Sequence, residues 1–254
     1  MNWDPAQYRK FAAARLRPAN DLLARVDLEA PRTIVDLGCG EGAVTRVLHE
    51  RWPHAELTGV DSSEAMLRVA MGELDKVRWR HGDLALWRPT RPVDLLFSNA
   101  ALHWLPNHER LFLRLLEGIA IGGVLAVQMP CNFRAPSHTL IADAAMRGPW
   151  QSKLAPLLHP PPVAEPSFYY DLLAPVVRHL DIWETEYLHL LQGDHAVAEW
   201  TKGTWRKPFL DALTKTERVE FERIYRESVA AAYPPRPDGT VLFPFRRLFI
   251  VAHV

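Results

Sequence analysis

An α/β fold built on a mostly parallel sheet is what this sequence predicts, and three observations carry the prediction. Short β-branched runs alternate with helical patterns through the first half of the chain, as strands joined by crossover helices do. The first run ends in three alternate glycines, Gly38, Gly40 and Gly42, just before an amphipathic pattern begins. The chain closes on a long apolar run, FRRLFIVAHV (245–254), expected to pair with DIWETEYLHLL (181–191) as an antiparallel hairpin at the sheet edge.

Five parallel strands are expected, at RTIVDL (32–37), LTGVD (57–61), VRWRHGD (77–83), VDLLFSN (93–99) and GVLAVQM (123–129). Each is apolar at most positions, as strands covered on both faces are. Between the first two, Ala43, Val44, Val47 and Leu48 form an inward stripe at helical spacing, with Thr45, Arg46, Glu50 and Arg51 on the other face. Ser62 or Ser63 caps the next helix, whose inward residues are Ala65, Met66, Val69 and Ala70. A later helix carries Leu111, Phe112, Leu115 and Leu116 and is expected to stop at Gly122 and Gly123. The second half breaks this rhythm with a proline-rich helical stretch (133–180) and a helical block (194–232). We expect one domain over 1–254, with lid elements at 1–20, 133–165 and 194–240.

Composition narrows the partner. Lys plus Arg and Asp plus Glu both number 30, so no global field draws in nucleic acid or an anionic membrane, and a small molecule is expected. The only cysteines are Cys39, inside the glycine turn, and Cys131, which argues against a disulfide framework and for a reducing cytoplasm. No apolar run is long enough to cross a bilayer, and MNWDPAQYRKF (1–11) lacks the apolar middle of a signal peptide. His103 and His108 match no zinc spacing, no metal is expected, and both read as surface or wall residues. The absence of GxSxG, P-loop and CxxC patterns leaves hydrolase, nucleoside triphosphatase and redox chemistry without support.

Ligands of open parallel sheets sit at the carboxyl ends of the strands. Those ends carry Asp36 with the glycine turn, then Asp61, which is 23 residues after Gly38, then Gly82-Asp83 and Ser98-Asn99. Gly38-x-Gly40-x-x-Ala43 satisfies the dinucleotide fingerprint, so an NAD(P)-dependent oxidoreductase is one reading. Asp36 and Glu41 oppose a pyrophosphate there and favour a cofactor with a cationic amino or sulfonium group.

The motifs VDLGCGEG (35–42), VDSS (60–63), GDL (82–84) and SNAALHW (98–104) resemble those of class I S-adenosylmethionine-dependent methyltransferases. The resemblance implies a Rossmann-like fold in which the glycine turn, with Asp36, Gly38 and Gly40, holds the methionine moiety. It implies that Asp61 meets the ribose hydroxyls, that Asp83 and Leu84 frame the adenine, and that Asn99, Ala100 and Trp104 border the methyl donor, with Tyr8, Ser62 and Met66 also on the cofactor. S-adenosyl-L-homocysteine would be the product. WDPAQY (3–8), RPANDLLARV (17–26), ALHWLPNH (101–108), VLAVQMPCN (124–132), YYDLL (169–173), DIWETEYLH (181–189) and FRRLFIVA (245–252) are similar to the trans-aconitate 2-methyltransferase family. That implies carboxyl O-methylation of a small polycarboxylic acid.

A carboxylate is ionised at neutral pH, so no catalytic base is expected and the task reduces to positioning. Arg15, Arg206, Lys207 and Arg247 are the candidate clamps, with Tyr8, Trp104, Gln128, Tyr169 and Tyr170 as walls. His103 would matter as a base only for a hydroxyl acceptor, which with other small acids is the alternative within the class. The stretch TKGTWRKPFL (201–210) departs from the family pattern, its Trp205-Arg206-Lys207 adding bulk and two cations. The oligomeric state is left open.

Overall fold

The structure, a computed structural model, describes residues 12–72, 74–203 and 205–254, with side chains from residue 16 onward. In chain order the elements that position the site are α1 (Ala12–Leu23), β1 (Thr33–Leu37), α2 (Ala43–Arg51), β2 (Glu56–Asp61), α3 (Glu64–Met71), β3 (Arg78–His81) and β4 (Val93–Asn99). A short 3-10 turn (Leu102–Trp104), α4 (His108–Leu116) and β5 (Ile119–Pro130) follow. The second half adds α5 (Pro136–Arg147), α6 (Gln151–Leu154), α7 (Pro166–Leu173), β6 (His179–Leu191), α8 (Ala196–Lys202), α9 (Lys207–Asp211), α10 (Lys215–Ala232) and β7 (Val241–His253).

Seven strands form one sheet in the order β3-β2-β1-β4-β5-β7-β6. The first five are parallel, and β7 runs antiparallel to β5, pairing Val124 with His253 through to Pro130 with Arg247. Strand order reverses beside β1, which lies between β2 and β4, so the switch-point crevice opens at the carboxyl ends of β1 and β4. The entry of β1 is pinned to β4 by Asp94, whose Oδ2 accepts from Arg32 N at 2.8 Å and Thr33 N at 2.9 Å.

The chain divides into two compact units. The first comprises residues up to Pro130 with Pro162–Thr185 and Arg247–Val254; the second comprises Cys131–Pro161 and Glu186–Arg246. In the first unit, Leu95, Leu96 and Phe97 of β4 and Val124 to Val127 of β5 are fully buried, as expected for central strands. In the second, α10 packs on α5, and Phe221, Tyr225 and Val229 face inward. The helix α10 begins at a reciprocal cap in which Thr214 Oγ1 accepts from Glu217 N and Glu217 Oε2 accepts from Thr214 N.

Several expectations need correction. The strand expected at 77–83 shrinks to Arg78–His81 and is largely exposed, because β3 is an edge strand. The helix α4 ends at Leu116, with Glu117 and Gly118 turning the chain, while Gly122 and Gly123 lie inside β5. On α2 it is Thr45 and Leu48 that are buried, and Ala43 is exposed. Of the expected lid elements, 133–161 and 194–240 fall in the second unit. Residues 12–20 belong to α1, which contacts β5 and α2 in the first unit; residues 1–11 lie outside the described residues.

Candidate active site

The turn after β1 folds as it does because its glycines take backbone angles that side chains resist. Gly38 has φ +84°, and a Cβ there would stand 2.1 Å from Ala101 Cβ, so the turn and the segment after β4 touch only because that atom is missing. At Gly40, φ +56°, a Cβ would meet nothing within 4 Å: the backbone there faces open space. Asp61 locks this arrangement, accepting from Gly40 N at 2.9 Å through Oδ2 and from Ser63 N at 2.8 Å through Oδ1. Ser63, the expected alternative to Ser62, caps α3 by accepting from Met66 N.

A cavity of about 330 Å³ opens here within the first unit. The turn after β1 supplies Gly38 and Gly40, β2 and α3 supply Asp61, Ser62 and Met66, and the segment after β3 supplies Asp83 and Leu84. Asn99, Ala100, Ala101, Trp104 and Leu105 close the side after β4. Asn99 Oδ1 is buried and accepts no hydrogen bond among the described residues, an acceptor left for a ligand's donor such as an ammonium group. Ten of the residues expected around a cofactor therefore share one cavity.

Asp36 does not line it. It is 1% exposed behind the turn, where it accepts from Thr45 Oγ1 at 2.6 Å. Burial pushes its carboxyl up to about 7, against the Thr45 bond and with help from the nearby charge of Asp61. Thr45 was expected on the solvent face; a polar residue on α2 is buried because it serves a buried acid one strand away. The Cys39 thiol is likewise pushed up, by burial first and then by Asp36 and Asp61, which keeps it protonated and inert.

Next to Asn99 in the sheet stands Gln128 of β5, whose carbonyl accepts from Ala100 N. Gln128 is fully buried; its Oε1 lies 3.4 Å from Arg247 Nη1, and its Nε2 has no partner among the described residues. Arg247, on β7, is 3% exposed. The buried amide donor thus sits one strand from Asn99 in the cavity wall, and the buried cation two strands from it.

The remaining substrate candidates are placed differently. Tyr169 is fully buried with its hydroxyl 2.6 Å from His108 Nδ1, whereas Tyr170 is 59% exposed. Arg206 is fully buried inside the second unit, over the Tyr225 ring at 4.6 Å and bonded to the Ala198 carbonyl at 2.9 Å. Lys207 pairs with Asp211 of its own helix at 2.7 Å. Arg15 falls in α1 with its side chain outside the described part, and Tyr8 lies outside the described residues altogether. His103 and His108, expected as surface or wall residues, are both buried, with His103 packed 4.6 Å from the Trp104 ring. Ala101 and Leu105 were not singled out, though both belong to the ALHWLPNH run. No helix among the described residues is long and apolar enough to cross a membrane.

Residues 34–123 match the family described as "Methyltransferase domain". A trans-aconitate 2-methyltransferase from Azoarcus sp. is 48% identical over 250 residues, which is 98% of this chain and 98% of that one. The chain belongs to the trans-aconitate 2-methyltransferase family. Members from Acidovorax ebreus and Rhodopseudomonas palustris are 46% and 44% identical, each over 99% of this chain and 98% of its own length. Among solved structures, the YcgJ protein of Bacillus subtilis shares the fold with a TM-score of 0.59 at 13% identity, covering 93% of this chain and 97% of that one. Coclaurine N-methyltransferase bound to N-methylheliamine and SAH does so at 0.55 and 15%, covering 94% and 72%. The dinucleotide fingerprint in the glycine turn therefore sits in a methyltransferase family, and the oxidoreductase reading falls.

Proposed function

We propose that the protein transfers a methyl group from S-adenosyl-L-methionine to one carboxylate of trans-aconitate, giving a monomethyl ester. The observation that carries this reading is the Gln128–Arg247 pair beside the cavity, in a chain nearly half identical to relatives of that name over their whole length. When bound, the cofactor supplies an electrophilic methyl on a sulfonium; what the chain supplies is position.

Gly38 and Gly40 let the backbone approach the methionine moiety, and Asn99 Oδ1 accepts from its ammonium group. Asp61 retains a lone pair on each oxygen for the ribose hydroxyls, and Leu84 with Asp83 frames the adenine. Arg247 and Gln128 Nε2 hold a substrate carboxylate by charge and hydrogen bond. Because the attacking carboxylate is ionised at neutral pH, no residue has to take its proton; alignment and exclusion of water do the work. The buried, protonated Cys39 thiol suits a reducing cytoplasm.

The test is incubation with methyl-labelled cofactor and a panel of small acids, alcohols and amines. A base-labile ester on trans-aconitate is the expected product. Label on hydroxyl or amine acceptors alone would overturn the substrate assignment.

A further inference from the structure

The turn that walls the cavity after β4 is fastened from behind by two residues that do not line it. His108 opens α4, and its Nε2 lies 3.1 Å from the Leu102 carbonyl, while its Nδ1 lies 2.6 Å from the Tyr169 hydroxyl on α7. A carbonyl oxygen can only accept, so Nε2 carries the hydrogen. Burial pushes the imidazole pKa down, against the pull of the Leu102 and Leu105 carbonyls, so the ring is neutral and Nδ1 is left with a lone pair. The Tyr169 hydroxyl must then donate to Nδ1, and its oxygen receives the Ala164 N–H at 3.3 Å. Every hydrogen in this chain has one direction, from Ala164 to Tyr169 to His108, and from His108 to Leu102.

What hangs on the last link is the cavity wall. Leu102 opens the 3-10 turn, its carbonyl also receives Leu105 N at 2.9 Å, and the same turn presents Ala101, Trp104 and Leu105 to the cavity. Asn107 caps α4, and its left-handed backbone (φ 56°) and its Oδ1, which accepts from Arg110 N, fix where the imidazole starts. Rings close the remaining sides, Phe112 at 5.6 Å from His108 and 5.2 Å from Tyr169. A displaced imidazole would therefore move the Leu102 carbonyl before anything else.

We infer that His108 and Tyr169 form a positioning pair for the methyl-donor cavity, setting the place of the Ala101–Leu105 turn through the Leu102 carbonyl. The inference rests on the reading of that cavity as a cofactor site. Simple core filling is the competing explanation, and it predicts that any two substitutions of equal stability cost would behave alike.

Two measurements separate these. Nitrogen NMR on the full-length protein with labelled histidine reads the tautomer directly: hydrogen on Nε2, an accepting Nδ1, and no titration near the ordinary histidine value of about 6.5 are expected. The opposite tautomer, or an ordinary titration, overturns the pair. Calorimetry with S-adenosyl-L-homocysteine then compares His108→Asn, which loses the donor at the Nε2 position, with His108→Gln, which keeps a donor there. The Asn variant should bind at least about tenfold more weakly and the Gln variant should recover most of that loss at a similar melting temperature. Equal losses, or none, overturn the positioning role. Failure of the wild-type protein to bind S-adenosyl-L-homocysteine would count against the cofactor reading instead, with the tautomer still deciding the pair.

Discussion

Asp36 shows how a single buried acid ties stability to ligand. Its carboxyl ionises at about 3.8 in the unfolded chain and at about 7 in the fold. A raised acid contributes stability that is full below the lower value and is lost as pH climbs through the upper one, so the ligand-free protein should weaken from about pH 4 to pH 7. Asp36→Asn, which still accepts from Thr45, should flatten that slope when urea midpoints are compared across it. A cationic cofactor favours the ionised form, so binding near neutrality should release a proton, read by calorimetry in buffers of different ionisation enthalpy. At Arg247 the expectation concerns the acceptor: Arg247→Lys keeps a charge but loses the fork, and should raise the KM for trans-aconitate about tenfold while leaving S-adenosyl-L-homocysteine affinity unchanged. A KM within a factor of two of wild type would remove Arg247 from the clamp. Strand-end acids and glycines were readable from the sequence because each needs a particular residue type at a particular turn. Thr45 was not, since a polar side chain at a helical position reads as solvent-facing until the partner across the fold is known, and the His108–Tyr169 contact was not, although Tyr169 was expected as a wall of the site and His108 as a surface or wall residue.

Elements were legible where apolar content reflected real burial. The expected β4, VDLLFSN, coincides with Val93–Asn99, because a central strand must be apolar throughout. Edge position hid the limits of β3, whose residues are mostly exposed and whose pairing is one-sided. Gly122 and Gly123 misled for a different reason: β5 itself carries the irregularity, four of its residues standing against Asp94 between the Val93–Ile119 and Leu95–Val124 pairs, and the glycines lie among those four. In the second unit, α10 rests on the Thr214–Glu217 cap, and Glu217 also accepts from Lys153 at 2.6 Å. Thr214→Ala should cost about 1 kcal/mol, measured as a lowered chemical-denaturation midpoint with cofactor binding intact.

At the scale of the whole molecule, the cavity and the Gln128–Arg247 pair belong to the first unit, so ligand should stabilise that unit specifically. With S-adenosyl-L-homocysteine at about a hundred times its dissociation constant, linkage gives about 2.7 kcal/mol. For a protein of this size that is a rise of about 5–10 °C in melting temperature. If heating resolves two transitions, only the one belonging to the first unit should move. A shift confined to the other transition would contradict the placement of the site.

The antiparallel closure of β5 by β7 also orders events during synthesis. Among the described residues, those lining the cavity are encoded between positions 38 and 105, and Gln128 follows soon after, but Arg247 arrives on β7. A chain emerging from the ribosome therefore carries these lining residues while β5 still presents an unpaired edge from Val124 to Pro130. Such an edge is a template for another strand. On the proposed reading, cellular quality control would meet a half-built enzyme whose donor side is written and whose acceptor side is not. A premature stop before Arg247 would leave that state permanent, removing the proposed clamp residue and the part of β7 that pairs with β5 in one stroke.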